Sequence, residues 1–76
     1  MLTYDKCKEI ASNRAADYGA EITKSYTIGS DFVFDADEQY PGVFPFVVCA
    51  DSGEISGLWP YLIKKDMTMD DMQEIA

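Results

Sequence analysis

From Thr3 to Tyr18 the apolar residues recur at helical spacing. Cys7, Ile10, Ala11, Ala15 and Tyr18 form one stripe, and Lys6, Glu9, Asn13 and Asp17 fall largely on the other side. This predicts an amphipathic helix over residues 3–18, with Thr3 as N-cap, Asp5 in the first turn and Gly19 as the stop. The period then changes to two. Ile22, Tyr26 and Ile28 face one way and Thr23, Ser25 and Thr27 the other, with Lys24 as a flaw on the inward side. That is a half-buried strand. Gly29-Ser30 has the chemistry of a two-residue hairpin turn, and Phe32-Val33-Phe34 leads a second strand to about Ala36.

Residues 37–45 read as a loop in which Tyr40-Pro41-Gly42 suits a type II turn. Phe46 to Ala50 is a continuous apolar run of strand length, expected to be buried on both faces. Asp51-Ser52-Gly53-Glu54 is a tight turn, and Ile55 to Trp59 a fourth strand ended by Pro60. Thr68, with Asp71 at the capping-box position, opens a short terminal helix through Ile75, whose inner stripe is Met69, Met72 and Ile75.

The predicted fold is therefore α+β, one domain over residues 1–76. An N-terminal helix packs on a four-stranded antiparallel meander, and a short C-terminal helix completes the chain. With Ile22, Tyr26, Phe32 and Phe34 under the helix, the second sheet face carries Thr23, Ser25, Thr27, Val33 and Asp35. Two readings of that face stand. It is open, and so a binding or homodimer surface, or it is covered by the terminal helix and the Trp59–Ile63 segment.

Composition narrows the function. Fourteen acids against six bases give a net charge of −8. Between Lys24 and Lys64 there is no basic residue, and the stretch carries Asp31, Asp35, Asp37, Glu38, Asp51 and Glu54. Such a surface repels nucleic acid and anionic membrane and attracts a basic protein partner; acidity alone also keeps a small protein soluble. No apolar run reaches the roughly 20 residues that span a bilayer. Met1-Leu2-Thr3-Tyr4-Asp5-Lys6 carries no leader pattern, so a cytoplasmic protein is expected. Two cysteines, Cys7 and Cys49, are too few for a disulfide scaffold; a bridge between them would tie the helix to a strand.

No catalytic, cofactor-binding or metal-binding residues are assigned. The chain has no histidine, no CxxC, no GxGxxG and no P-loop. Asp35-Ala36-Asp37-Glu38 fails as a calcium loop, because Tyr40 and Phe46 stand where an EF-hand needs Gly and Glu. Asp51-Ser52-Gly53-Glu54-Ile55-Ser56 matches a phosphodegron by its letters, but Asp-Ser-Gly is also what a hairpin turn selects. Leu58-Trp59-Pro60-Tyr61-Leu62-Ile63 is the densest bulky segment. Leu62 and Ile63 are assigned to the core, and Trp59 and Tyr61 are open between core and interface anchor.

The helix, the aromatic strand Asp31-Phe32-Val33-Phe34-Asp35 and the run Pro45-Phe46-Val47-Val48-Cys49-Ala50-Asp51-Ser52-Gly53-Glu54-Ile55 together resemble the YrhB-like immunity-protein family. The likeness covers about residues 3–59. PepSY-like domains share the apolar strand and its adjoining turn. The YrhB-like family usually has Gly-Asn before the proline, where this chain has Val43-Phe44. The resemblance implies a non-enzymatic bacterial inhibitor that neutralises a toxin, and it assigns no contact residues. The expected function is a small acidic protein-binding domain that occludes a basic partner. Asp35, Asp37 and Glu38 supply the field, and Trp59 and Tyr61 the anchors. A DNA-mimic inhibitor and a dimerising assembly domain are the alternatives from other classes; a carboxylate enzyme would need two close acids in a pocket.

Overall fold

A computed structural model describes residues 1–36 and 45–75. The elements in chain order are helix α1 (Tyr4–Ala16), strands β1 (Ile22–Ile28), β2 (Asp31–Ala36), β3 (Phe46–Val48) and β4 (Ile55–Gly57), helix α2 (Leu58–Lys65), a single 3-10 turn (Met69–Asp71) and strand β5 (Met72–Glu74). The class is α+β as expected, with an N-terminal helix and an antiparallel sheet. The sheet has five strands in the order β4-β3-β2-β1-β5, so the first four form the meander and the fifth returns to the outer side of β1.

Local chemistry sets α1 and the first hairpin. The Thr3 hydroxyl accepts the Lys6 N–H at 3.2 Å, satisfying one of the donors that a helix start leaves unpaired. Cys7, Ala11 and Ala15 are fully buried along the inner stripe. They pack on Phe34, Ala36, Phe46, Val48 and Ala50, with Tyr4 edge-on to Phe32 at 5.3 Å between ring centres. The Gly29-Ser30 turn joins β1 to β2, pairing Ile28 with Asp31.

The strict alternation expected along β1 is broken. Ile22 pairs with Ala36 but Lys24 with Asp35, so Thr23 is an extra residue bulged out of the ladder. The bulge sends Ile22 to the α1 side, whereas Tyr26 and Ile28 pack on the opposite side with Val33 and Val47. Tyr26 is therefore not under α1. Ser25 and Thr27, registered opposite Phe34 and Phe32, are on the α1 face instead.

The largest correction lies after Gly57. Leu58 to Ile63 is helix, in place of the fourth strand expected to run through Trp59. Pro60 sits in the first turn, where its missing N–H costs no helical hydrogen bond, so it helps to start a helix and does not end a strand. Thr68 and Asp71 do form the expected capping box, but it closes only one 3-10 turn. The chain then enters β5, and the terminal helix through Ile75 does not form.

These changes settle the second sheet face. Leu58, Tyr61 and Leu62, at i, i+3 and i+4 on α2, pack on Ile28, Val33 and Val47, with Met67 and Met72 at the margin. Helix α1 thus packs on one face of the sheet and α2 on the other. The expected type II turn at Tyr40-Pro41-Gly42 lies outside the described residues.

Candidate protein-binding surface

From Leu58 to Ile63, helix α2 carries apolar residues on both its sides, and a segment of that kind must hide both sides or show one. Its inner side is filled by Leu58, Tyr61 and Leu62, all at most 4% exposed. Its outer side carries Trp59 and Ile63, again at i, i+4, and these are 63% and 82% exposed. Lys64 and Lys65 occupy the last turn, where the unpaired carbonyls favour cations. Asp66 then takes a left-handed conformation with φ 54°, an arrangement short polar side chains tolerate better than most. The Met67 N–H donates to the Leu62 carbonyl at 2.9 Å and closes the helix end.

The reversal folds the next segment back along α2. The Asp71 carboxylate accepts the Thr68 N–H at 2.9 Å, and the Thr68 hydroxyl accepts the Asp70 N–H at 3.3 Å. Met69 is left outward and 52% exposed. Between this segment and α2 lies a groove of about 460 Å³, lined by Trp59, Leu62, Ile63, Asp66, Met67, Thr68 and Met69. Three of the four exposed large apolar residues among the described ones line this groove. Scattered single apolar residues are normal on a surface, whereas a contiguous set beside a groove marks contact with something else.

The expected site residues divide. Trp59 is on this surface. Tyr61 is inside, 4% exposed, with its hydroxyl donating to Asp31 Oδ2 at 2.6 Å, so its ring and its oxygen are both occupied within the fold. Asp35 is half-buried in β2 opposite Lys24, and its Oδ1 accepts the Ala36 N–H at 2.8 Å. Asp37 and Glu38 lie outside the described residues. Register still relates Asp35 to Trp59: Gly57, Phe46 and Phe34 stand in one row across β4, β3 and β2, so α2 leaves the sheet at the end where Asp35 stands. Two strand spacings, about 10 Å, separate the outer members of that row.

Two surface residues are not legible in the sequence. Its pattern places Ile63 in the core and Met69 on the inner stripe of a helix that does not form. The available signal is the double i, i+4 pattern in Leu58–Ile63: Leu58 with Leu62, and Trp59 with Ile63. Asp31, one of the acids of the stretch without bases, is also different. It is 8% exposed and accepts hydrogen bonds from both Tyr61 and the Ala50 N–H, the latter at 2.9 Å, so it contributes to the core and little to the outer field.

The ionisable chemistry elsewhere is structural in character. Burial pushes the Cys7 and Cys49 thiols up, with the Asp31 carboxylate adding to both. Both cysteines are free: Cys7 belongs to the α1 layer and Cys49 packs toward α2. Ser52 is part of its turn, its hydroxyl accepting the Glu54 N–H at 3.2 Å. Among the described residues, no three His, Cys, Asp or Glu side chains are grouped to hold a metal ion, and no helix is long and apolar enough to cross a membrane. A second recess, of about 350 Å³ near Lys8, Ser12, Glu21 and Ile22, mixes both charges.

No protein-family model matches this chain, and neither does any curated protein or solved structure.

Proposed function

We propose that this chain is a small non-enzymatic protein-binding domain that occludes a basic partner, using the outer face of α2 as its contact surface. The observation that carries the reading is Trp59: a large aromatic side chain 63% exposed on a helix whose other face is packed into the core. Exposing Trp59, Ile63 and Met69 together costs solubility, and a partner that covers them recovers the hydrophobic term. Tryptophan is also the side chain most often found as an interface anchor. The net charge of −8 sets the sign of the partner and speeds its approach. An immunity-type inhibitor is the concrete form, in keeping with the resemblance of the chain to YrhB-like proteins.

The test is affinity capture at low salt from the cells that make the protein, with binding kinetics then measured on the retained partner. Trp59→Ala is expected to weaken the retained complex by about 2 kcal/mol, roughly thirtyfold in Kd, the scale of an anchor. Reversing Asp35, Asp37 and Glu38 to lysine is expected to slow association and flatten its salt dependence. An unchanged Kd for Trp59→Ala removes the surface from consideration. Displacement of the partner by duplex DNA favours the DNA-mimic reading.

A further inference from the structure

We infer that the groove between α2 and the Asp66–Met69 return takes one large apolar side chain of the partner, flanked in the partner's sequence by lysine or arginine. The inference rests on the protein-binding reading above and specifies what the surface recognises.

Shape is the first argument. The groove is a recess of about 460 Å³, ample for a single inserted side chain. Its floor is Leu62, which is buried in the core, and Met67, which packs against that core, so it is backed by packed protein. Its walls are Trp59 and Ile63 on one side and Met69 on the other. Methionine has an unbranched, polarizable side chain that adapts to varied apolar shapes, which suits a pocket for an inserted residue.

Charge is the second. Among the described residues lining the groove, Asp66 is the one ionisable side chain. Asp70 and Asp71 stand just beyond Met69 and are exposed. Lys64 and Lys65 stand exposed in the last turn of α2 but outside the groove lining, and the Lys65 ammonium lies 6.0 Å from the centre of the buried Tyr61 ring. A cation beside the inserted residue finds the Asp66 carboxylate, and the face of Trp59 offers a second stabilising contact. A second copy of this chain is the poorer occupant, because each copy carries a net charge of −8.

The chain holds a single tryptophan, so its emission reports on the groove with no added label. The probes are a capped peptide of alternating lysine and leucine around one central phenylalanine, and the same peptide with every lysine replaced by glutamate. The lysine peptide is expected to shift Trp59 emission to the blue, saturably, and the glutamate peptide to leave it unmoved. Ile63→Asp is expected to weaken the lysine peptide at least tenfold. Ile63 is 82% exposed, so the variant keeps its core. That variant is also more acidic, so a purely electrostatic association would tighten. Tighter or equal binding to Ile63→Asp, or an equal response to the glutamate peptide, overturns the inference. So does the absence of a saturable shift with the lysine peptide. If the groove fails in this way while a captured partner still depends on Trp59, the broader reading stands and only the groove's role is lost. Concentration-dependent dimerisation that buries Trp59 without peptide assigns the groove to a second copy and also overturns the inference.

Discussion

The Tyr61 hydroxyl donates to Asp31 Oδ2 at 2.6 Å, while Asp31 Oδ1 accepts the Ala50 N–H at 2.9 Å. One buried carboxylate thus joins α2, the start of β2 and the turn after β3, and α2 is held on the sheet by a polar tie as well as by packing. Tyr61→Phe removes one hydrogen bond and leaves a buried carboxylate short of a partner. The expected loss is about 1–3 kcal/mol, because an unpaired buried acceptor keeps its full desolvation cost. Urea unfolding at pH 7 measures it; a variant as stable as the wild type means that water has taken the place of the tie.

The same tie has a pH signature. Burial, then the hydrogen bond to Asp31, then the charge of Asp31 hold the Tyr61 phenol far above its ordinary value of 10.0. Once pH passes the unfolded value, the unfolded chain releases the Tyr61 proton and the folded chain keeps it. The stability contributed by the neutral phenol is therefore complete below about pH 10 and falls as pH rises from there toward the folded value. The stability gap between wild type and Tyr61→Phe is expected to narrow between about pH 9 and pH 11, as read from urea midpoints. A gap that stays constant or widens contradicts the assignment.

How far the sequence reaches depends on whether the deciding interactions are local. Helix α1 and the β1–β2 hairpin are legible because Thr3, the 3.6-residue stripe and Gly29-Ser30 act within a few residues of themselves. The bulge at Thr23 is not, since it is the partner strand that makes Ile22 and Lys24 fall out of step. Leu58 to Ile63 is ambiguous for a physical reason: a short run of large apolar residues satisfies a two-sided strand and a two-sided helix alike. The capping box at Thr68 is legible, but the conformation of Met72–Glu74 is decided by a distant strand. The free edge of β1 offers backbone partners to those residues, and pairing there replaces further helix. Trp59 can therefore be picked out as a candidate from the sequence, while Ile63 and Met69 become visible only once α2 and the return are in place.

Two glycines with nearly the same backbone separate conformation from crowding. Gly19 and Gly53 have φ of 70° and 75°. A Cβ at Gly19 meets nothing within 4 Å, whereas one at Gly53 comes to 3.2 Å from both Ile10 Cδ1 and Leu2 Cδ1. Gly19→Ala is expected to cost about 1 kcal/mol, the left-handed penalty alone. Gly53→Ala is expected to cost more, by an amount set by how far Ile10 and Leu2 can turn aside. Equal losses in thermal unfolding mean that those two side chains move freely.

Thiol chemistry tests the layering. Only the thiolate is reactive, and both thiols are pushed up by burial. A disulfide-exchange reagent at about pH 8 is expected to modify the folded protein slowly and the urea-unfolded protein quickly. Half-buried Cys49 should react before Cys7, which has no exposed surface. Rapid labelling of Cys7 in the folded state contradicts the packing of α1 on the sheet.

Helix α2 carries the functional argument, so its two sides need an independent check. Leu62 is 4% exposed and packs with Val47, Leu58 and Tyr61 in one cluster; Trp59, three residues earlier, is 63% exposed. Leu62→Ala is expected to destabilise the fold by about 2–5 kcal/mol, the transfer and cavity terms acting together. Trp59→Ala removes a larger side chain, yet is expected to destabilise the fold less than Leu62→Ala does, because Trp59 keeps 63% of its surface in water in the folded chain. Size alone would predict the reverse order. Urea unfolding of both variants at pH 7 therefore reads the orientation of α2 directly. A large loss for Trp59→Ala beside a small one for Leu62→Ala means the helix is rotated, with Trp59 inside, and the apolar surface and groove assigned to it do not exist.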